Sequence, residues 1–233
     1  MAAANRGDDV PTIDFEKQRK NMVESQVRPS DVTDRRLMRA MLEVPREEFV
    51  PTALKPTAYM DGTLMITKAA PGLPARGLMA PRAFAKLLQL AEISDTNIVL
   101  DVGCASGYST AVIAKIAQTV VALETDAALV ESASKSLEAL GLVNAAVVTG
   151  SLENGYAAEG PYDAIVVAGA VETMPAMLLD QLKDGGRLVA VGAGLPQRAV
   201  IWRRSGRSFD RREVFEASAP AMPGFEVRKE FVF

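Results

Sequence analysis

The residues best suited to chemistry in this chain form one short run, Asp101-Val102-Gly103-Cys104-Ala105-Ser106-Gly107. Small residues at 103, 105 and 107 let a backbone turn approach a ligand closely and leave the first amides of a following helix free to face it. Glu124 stands 21 residues beyond Gly103, at the end of the next apolar segment, where a carboxylate can accept hydrogen bonds from both hydroxyls of a ribose. A dinucleotide fingerprint would place a third glycine where Tyr108 stands, so the spacing favours a nucleoside cofactor without a pyrophosphate over NAD or FAD. A tight structural turn between strand and helix is the alternative for the glycines alone. Asp101 reads either as a cap for the helix amides or as the partner of a cationic group on the cofactor. The chain has no histidine, which removes the commonest general base near neutral pH and the commonest metal ligand. The expected reaction uses no histidine base, and no metal site is expected.

These residues need a strand–turn–helix unit to hold them, and the sequence supplies a series of such units. Pro81, at a helix first turn, leads into Phe84, Leu87, Leu88 and Leu90, and Asn97–Val102 reads as a buried strand. Helices are predicted at Ser109–Ile116, Asp126–Leu140 and Pro175–Leu182, the last stopped by Asp184-Gly185-Gly186. Strands are predicted at Thr119–Glu124, Ala145–Thr149, Tyr162–Ala168 and Arg187–Val191. Strands alternating with helices demand a mostly parallel sheet of Rossmann-like α/β type. The tail alternates without helices at Gln197–Arg203, Phe209–Phe215 and Phe225–Phe233, which predicts antiparallel edge strands. Before Pro81, helical patterns run over Asp14–Val27 and Thr33–Val44, broken at Arg28-Pro29, and residues 45–80 are too rich in proline and glycine for long elements.

With 233 residues, 48% hydrophobic and 24% charged, the chain suits one globular domain. That domain spans 1–233, as a mobile tail (1–13), a helical and loop cap (14–80), a cofactor-binding core (81–195) and C-terminal strands (196–233). A net charge of −3 argues against nucleic acid as the principal partner, and Arg203, Arg204, Arg207, Arg211 and Arg212 read as the solvated face of a hairpin at Gly206. No stretch approaches the roughly 20 apolar residues of a membrane span. A single cysteine and no signal-like N-terminus predict a reducing, cytoplasmic setting.

From about Met22 to Gln197 the chain resembles the protein-L-isoaspartate O-methyltransferases. The likeness rests on Val44-Pro45-Arg46-Glu47, Phe49-Val50-Pro51, Ala58-Tyr59-Met60-Asp61, the turn at 101–107, Pro161-Tyr162-Asp163-Ala164-Ile165-Val166-Val167, Leu182-Lys183-Asp184-Gly185-Gly186-Arg187-Leu188, and Val191-Gly192 with Gln197. The resemblance implies the S-adenosylmethionine-dependent methyltransferase fold, with helices on both faces of the sheet. It implies S-adenosyl-L-methionine as cofactor, S-adenosyl-L-homocysteine as product, and an isoaspartyl carboxylate in a damaged protein or peptide as acceptor, in a monomer or small homo-oligomer. A carboxylate is already ionised at pH 7, so this transfer requires alignment and desolvation rather than a base. Cofactor contacts are expected from Asp101, Gly103, Cys104, Ala105, Gly107, Glu124, Ser151 and Leu152, and acceptor contacts from Arg76, Met79, Pro81 and Gln197.

The chain departs from the family where substrate and cofactor are read. Gly77-Leu78-Met79-Ala80-Pro81 replaces Thr-Ile-Ser-x-Pro, so Met79 stands in place of the acceptor-facing hydroxyl and no catalytic residue is assigned. Arg76 is an exposed loop arginine or a substitute carboxylate clamp. Gly150-Ser151-Leu152 replaces Gly-Asp-Gly, Ala105 replaces a glycine, and Ser218-Ala219-Pro220-Ala221 replaces an arginine-containing ending. The alternatives are a different acceptor on the same scaffold, whether another protein carboxylate or a small molecule, and a non-catalytic cofactor-binding or interaction protein. Gly62, Gly72 and Gly77 would permit residues 62–80 to move as a lid.

Overall fold

The structure, a computed structural model, describes residues 13–71 and 74–227. The tail expected at 1–13 lies almost wholly outside them. Strand β3 (Ile98–Val102) forms with β4 (Thr119–Glu124), β5 (Ala145–Thr149), β6 (Tyr162–Val171), β7 (Leu182–Gly192), β8 (Arg198–Ser205) and β9 (Ser208–Glu216) a sheet of order β5-β4-β3-β6-β7-β8-β9. The pairs from β5 across to β7 are parallel, and β7-β8 and β8-β9 are antiparallel. This is the expected α/β architecture with an antiparallel edge. The order reverses beside β3, and ligands of such folds bind outside the carboxyl ends of the strands at that point.

Alternate residues of each central strand feed opposite faces. Val99, Val120, Ala164, Val166 and Val189 pack beneath α3 (Pro81–Ala91), α4 (Tyr108–Ala114) and α5 (Ala127–Ala139). Leu100, Leu123, Ile165, Val167 and Leu188 pack on the other face with α6 (Ala176–Leu179), Leu152, Met222 and Phe225. The last helix is shorter than expected, because the Gln181 side chain bonds Tyr156 N and Asn154 O while its carbonyl accepts from Tyr162 N. Residue 182 is thereby drawn into the sheet. Asp184-Gly185-Gly186 consequently forms an irregularity within β7, between the pairs Tyr162/Leu182 and Ala164/Arg187. A strand at 225–233 is not formed by Phe225–Val227, where the Phe225 carbonyl instead accepts from Glu172 N and Thr173 N. Residues 228–233 lie outside the described residues.

The N-terminal cap contains α1 (Phe15–Met22), which runs on through a wider turn at Val23–Val27, and α2 (Arg35–Glu43), capped by Asp34 on the amides of Arg36 and Leu37. A two-stranded ribbon, β1 (Leu64–Met65) with β2 (Gly77–Leu78), closes it. Arg46, from the family-like segment, is buried at 1% exposure. It donates to the carbonyls of Ala58 and Met79, both at 2.8 Å, and lies 4.6 Å from the Tyr108 ring centroid. One side chain thus ties both cap loops to the start of α4. Arg46→Leu leaves two buried carbonyls without a donor, and at about 1 to 3 kcal/mol each it is expected to lower unfolding stability by about 2 to 6 kcal/mol. An unchanged denaturation midpoint would contradict that role.

Candidate active site

The β3–α4 turn is held by its backbone. Gly103, Ala105 and Gly107 all have positive φ, at 73°, 51° and 95°, and Gly103 N and Cys104 N donate to the Leu123 carbonyl. The methyl that replaces the family's glycine at 105 is thus carried on a left-handed backbone. A left-handed alanine costs roughly 1 to 2 kcal/mol. It persists because Ala105 N donates to Glu124 Oε2 at 2.8 Å. The Ser106 hydroxyl, bonded to the Phe49 carbonyl at 2.6 Å, fastens the same turn to the cap.

Glu124 ends β4 fully buried. Its Oε1 accepts from Arg76 Nη1 at 2.5 Å and from the amides of Thr125 and Asp126 at 2.9 and 3.2 Å. These donors crowd Oε1, whereas Oε2 accepts from the Ala105 amide and keeps room for a further donor. Arg76 is therefore not an exposed loop arginine. It is 5% exposed, its Nη2 also donates to the Gly103 carbonyl at 3.0 Å, and the carboxylate it clamps belongs to the chain itself. Nothing local in the sequence announces a pair separated by 48 residues.

Asp101 sits beneath the turn, with Oδ2 accepting from the hydroxyls of Ser109 and Thr110 at 2.7 and 2.6 Å. It caps no helix amide, and its Oδ1 is buried with no partner. Burial lifts its carboxyl from the ordinary 3.8 to about 6, against the opposing pull of the two hydroxyls. Burial likewise pushes the Cys104 thiol well above its usual range, so it stays protonated and inert.

The remaining expected site residues are dispersed around this centre. Met79 is buried and lines the same small cavity as Gly103, Cys104 and Ala105. Pro81 opens α3, Ser151 is exposed past the end of β5, and Leu152 is buried under the sheet. Gln197 lies at the start of β8, where its Oε1 accepts from Ala219 N and its carbonyl from Ala217 N. Sequence reading missed Met222. Held by Met222 N to the Ala170 carbonyl at 2.8 Å, it places its sulfur 3.8 Å from Arg76 Nη2. The departure at 218–221 pointed to this segment, but nothing distinguished Met222 from an ordinary core methionine.

A family model described as protein-L-isoaspartate(D-aspartate) O-methyltransferase matches residues 17–216. The chain belongs to that family. Among similar isoaspartate methyltransferases, one from Herpetosiphon aurantiacus is 35% identical over 201 residues, covering 86% of this chain and 87% of its own. A second, from Shewanella sediminis, is 38% identical over 206 residues, covering 86% and 82%. A solved protein-L-isoaspartate O-methyltransferase superposes with TM-score 0.76 at 25% identity over 88% of this chain, which spans 66% of that longer chain. A putative Plasmodium falciparum isoaspartate methyltransferase, solved with S-adenosyl-L-homocysteine, shares the fold at TM-score 0.71 and 19% identity, covering 90% of this chain and 98% of its own.

The perturbed Asp101 makes the stability of this turn pH-dependent. Its folded pKa lies above its unfolded value, so the native state retains a proton that the unfolded chain gives up between about pH 4 and 6. The resulting stability is present at low pH and falls as pH rises through that window. Unfolding free energy is expected to drop by about 2 kcal/mol more between pH 4.5 and 7 in the wild-type protein than in Asp101→Asn. Equal changes in the two proteins would rule out this assignment.

Proposed function

We propose that this chain is an S-adenosyl-L-methionine-dependent O-methyltransferase that methylates isoaspartyl carboxylates in proteins or peptides. The observation that carries the reading is the conjunction of family membership over residues 17–216 with a buried carboxylate, Glu124, bonded to the glycine-containing turn at the carboxyl ends of β3 and β4. The donor set suits the cofactor. Glu124 would take the ribose hydroxyls, Gly103 and Gly107 would allow close approach, and the unpartnered Oδ1 of Asp101 supplies an acceptor for an ammonium group. Ser151 and Leu152 would border the adenine, with a hydroxyl in place of the family's carboxylate. When bound, S-adenosylmethionine supplies an electrophilic sulfonium methyl group.

The protein's own part is binding, alignment and exclusion of water. An ionised acceptor carboxylate already carries the nucleophilic electron pair, so no residue needs to remove a proton. A cavity of about 530 Å³ beside the Ala80-Pro81 corner is lined by Asp61, Ala80, Arg82, Lys86, Ala217 and Ser218. Arg82 is paired with Asp61 at 3.2 Å and Glu216 also lines the groove, so its charges balance, and Lys86 is the cation it would offer an acceptor segment. A single domain in the cytoplasm, acting in protein repair, fits this reading; among the described residues no helix is long and apolar enough to cross a membrane.

A different acceptor on the same scaffold is favoured by one observation only, the buried thioether of Met79 where the family has a hydroxyl. Incubation with methyl-labelled cofactor is expected to yield a base-labile ester on an isoaspartyl peptide and none on its normal aspartyl counterpart. Met79→Ser is expected to raise kcat/KM on that peptide about tenfold, the worth of one added hydrogen bond. Cofactor binding without any ester would sink the acceptor assignment.

A further inference from the structure

Two segments far apart in the chain converge on the place where the cofactor's nucleoside belongs. The first is the β1–β2 ribbon. Its residue Arg76 is fixed by backbone bonds from Ile66 N and Thr67 N to its carbonyl, and by its own amide to the Thr67 hydroxyl. The second is residues 217–222, pinned by Gln197 at Ala217 and Ala219 and laid alongside the end of β6 through Ala170 N to the Pro220 carbonyl at 2.7 Å and Met222 N to the Ala170 carbonyl. From these two anchors the Arg76 guanidinium and the Met222 thioether meet over Gly103.

The meeting is close. A Cβ added at Gly103 would lie 2.4 Å from the Met222 sulfur and 2.9 Å from Arg76 Nη2, and one at Gly169 would lie 2.6 Å from the Met222 methyl. The glycine that would let a cofactor approach is thus already approached by the chain itself. On the Met79 side of the turn, the cavity lined by Gly103, Cys104, Ala105 and Ala168 holds about 20 Å³, room for about one water. The acceptor capacity of Glu124 Oε1 is taken too, since Arg76 and the Thr125 and Asp126 amides all donate to it.

We propose that Arg76 and Met222 form an internal latch that occupies the nucleoside site, so that cofactor binding requires the guanidinium to leave Glu124 and the thioether to leave Gly103. The inference rests on the cofactor reading above. It has a structural consequence: Ala80, Ala217 and Ser218, on the two latch-bearing segments, also line the acceptor groove. The nucleoside site and the acceptor groove thus share the same two segments.

Calorimetric titration of S-adenosylhomocysteine into the full chain tests the latch without relying on turnover. Arg76→Gln removes the ion pair, and Met222→Ala removes the thioether while keeping the backbone bonds at Ala170. Each variant that folds, as judged by circular dichroism and thermal melting, is expected to bind at least tenfold tighter than the wild-type protein. Equal or weaker binding in the folded variants overturns the latch. Should neither variant fold, the wild-type protein decides through its Met222 methyl carbon resonance. That signal is expected to shift on saturation with S-adenosylhomocysteine, and a static one overturns the proposal. No binding by any of the three proteins rejects the cofactor reading itself, whereas tighter binding without ester formation keeps the latch and rejects only the acceptor.

Discussion

The carboxylate of Glu124 is the constraint on which the site depends. It is fully buried at the end of β4, and an unpaired charge there would be untenable, because the cost of removing an ion from water reaches several kcal/mol even after relaxation. Everything around it supplies hydrogen bonds. The Ala105 amide reaches it from a left-handed backbone, so the bond to the glutamate offsets the strain in the turn. The Thr125 and Asp126 amides come with the start of α5, and the remaining demand is met by Arg76. A bound nucleoside would meet the same demand with ribose hydroxyls. Arginine and ligand are thus alternative partners for one buried anion.

The departures from the family become physically related when placed around this centre. Met79 and Ala105 line one small apolar cavity with Gly103 and Cys104, and Arg76 lies just across Gly103 from it. Replacing a hydroxyl by a thioether there and adding a methyl at 105 both reduce polar surface facing the site. The segment after β9 brings Met222 against Gly103 and Arg76. Ser151, by contrast, is exposed at the edge and leaves the centre untouched. Two of the changes therefore act on the volume and polarity of one cleft, and a third lies on the segment that carries Met222 beside it, which a pairwise reading of each residue against the family does not reveal.

Much of the fold was legible because the central strands are buried on both faces and read as continuous apolar runs. Thr119–Glu124 and Ala145–Thr149 emerged with the boundaries predicted for them. The failures have local causes. Gln181 captures the chain into the sheet through side-chain bonds that no periodicity encodes, shortening the helix before it. Alanine at 105 hides a left-handed position that glycine would have advertised. The backbone turn and the acidic residue of the site could be read from spacing, since both belong to one strand–helix–strand unit. Arg76 and Met222 could not, since they reach the site from the cap and from the far end of the chain, and an ion pair between distant segments has no sequence signature.

The central claim, that Glu124 is the nucleoside's anchor and Arg76 its internal substitute, is tested most directly by a crystal structure of the full chain saturated with S-adenosylhomocysteine. The account predicts the ribose hydroxyls on Glu124, with the Arg76 guanidinium withdrawn beyond hydrogen-bonding distance of that carboxylate. A ligand bound with the Arg76–Glu124 pair intact, or bound away from the β3–α4 turn, would contradict it.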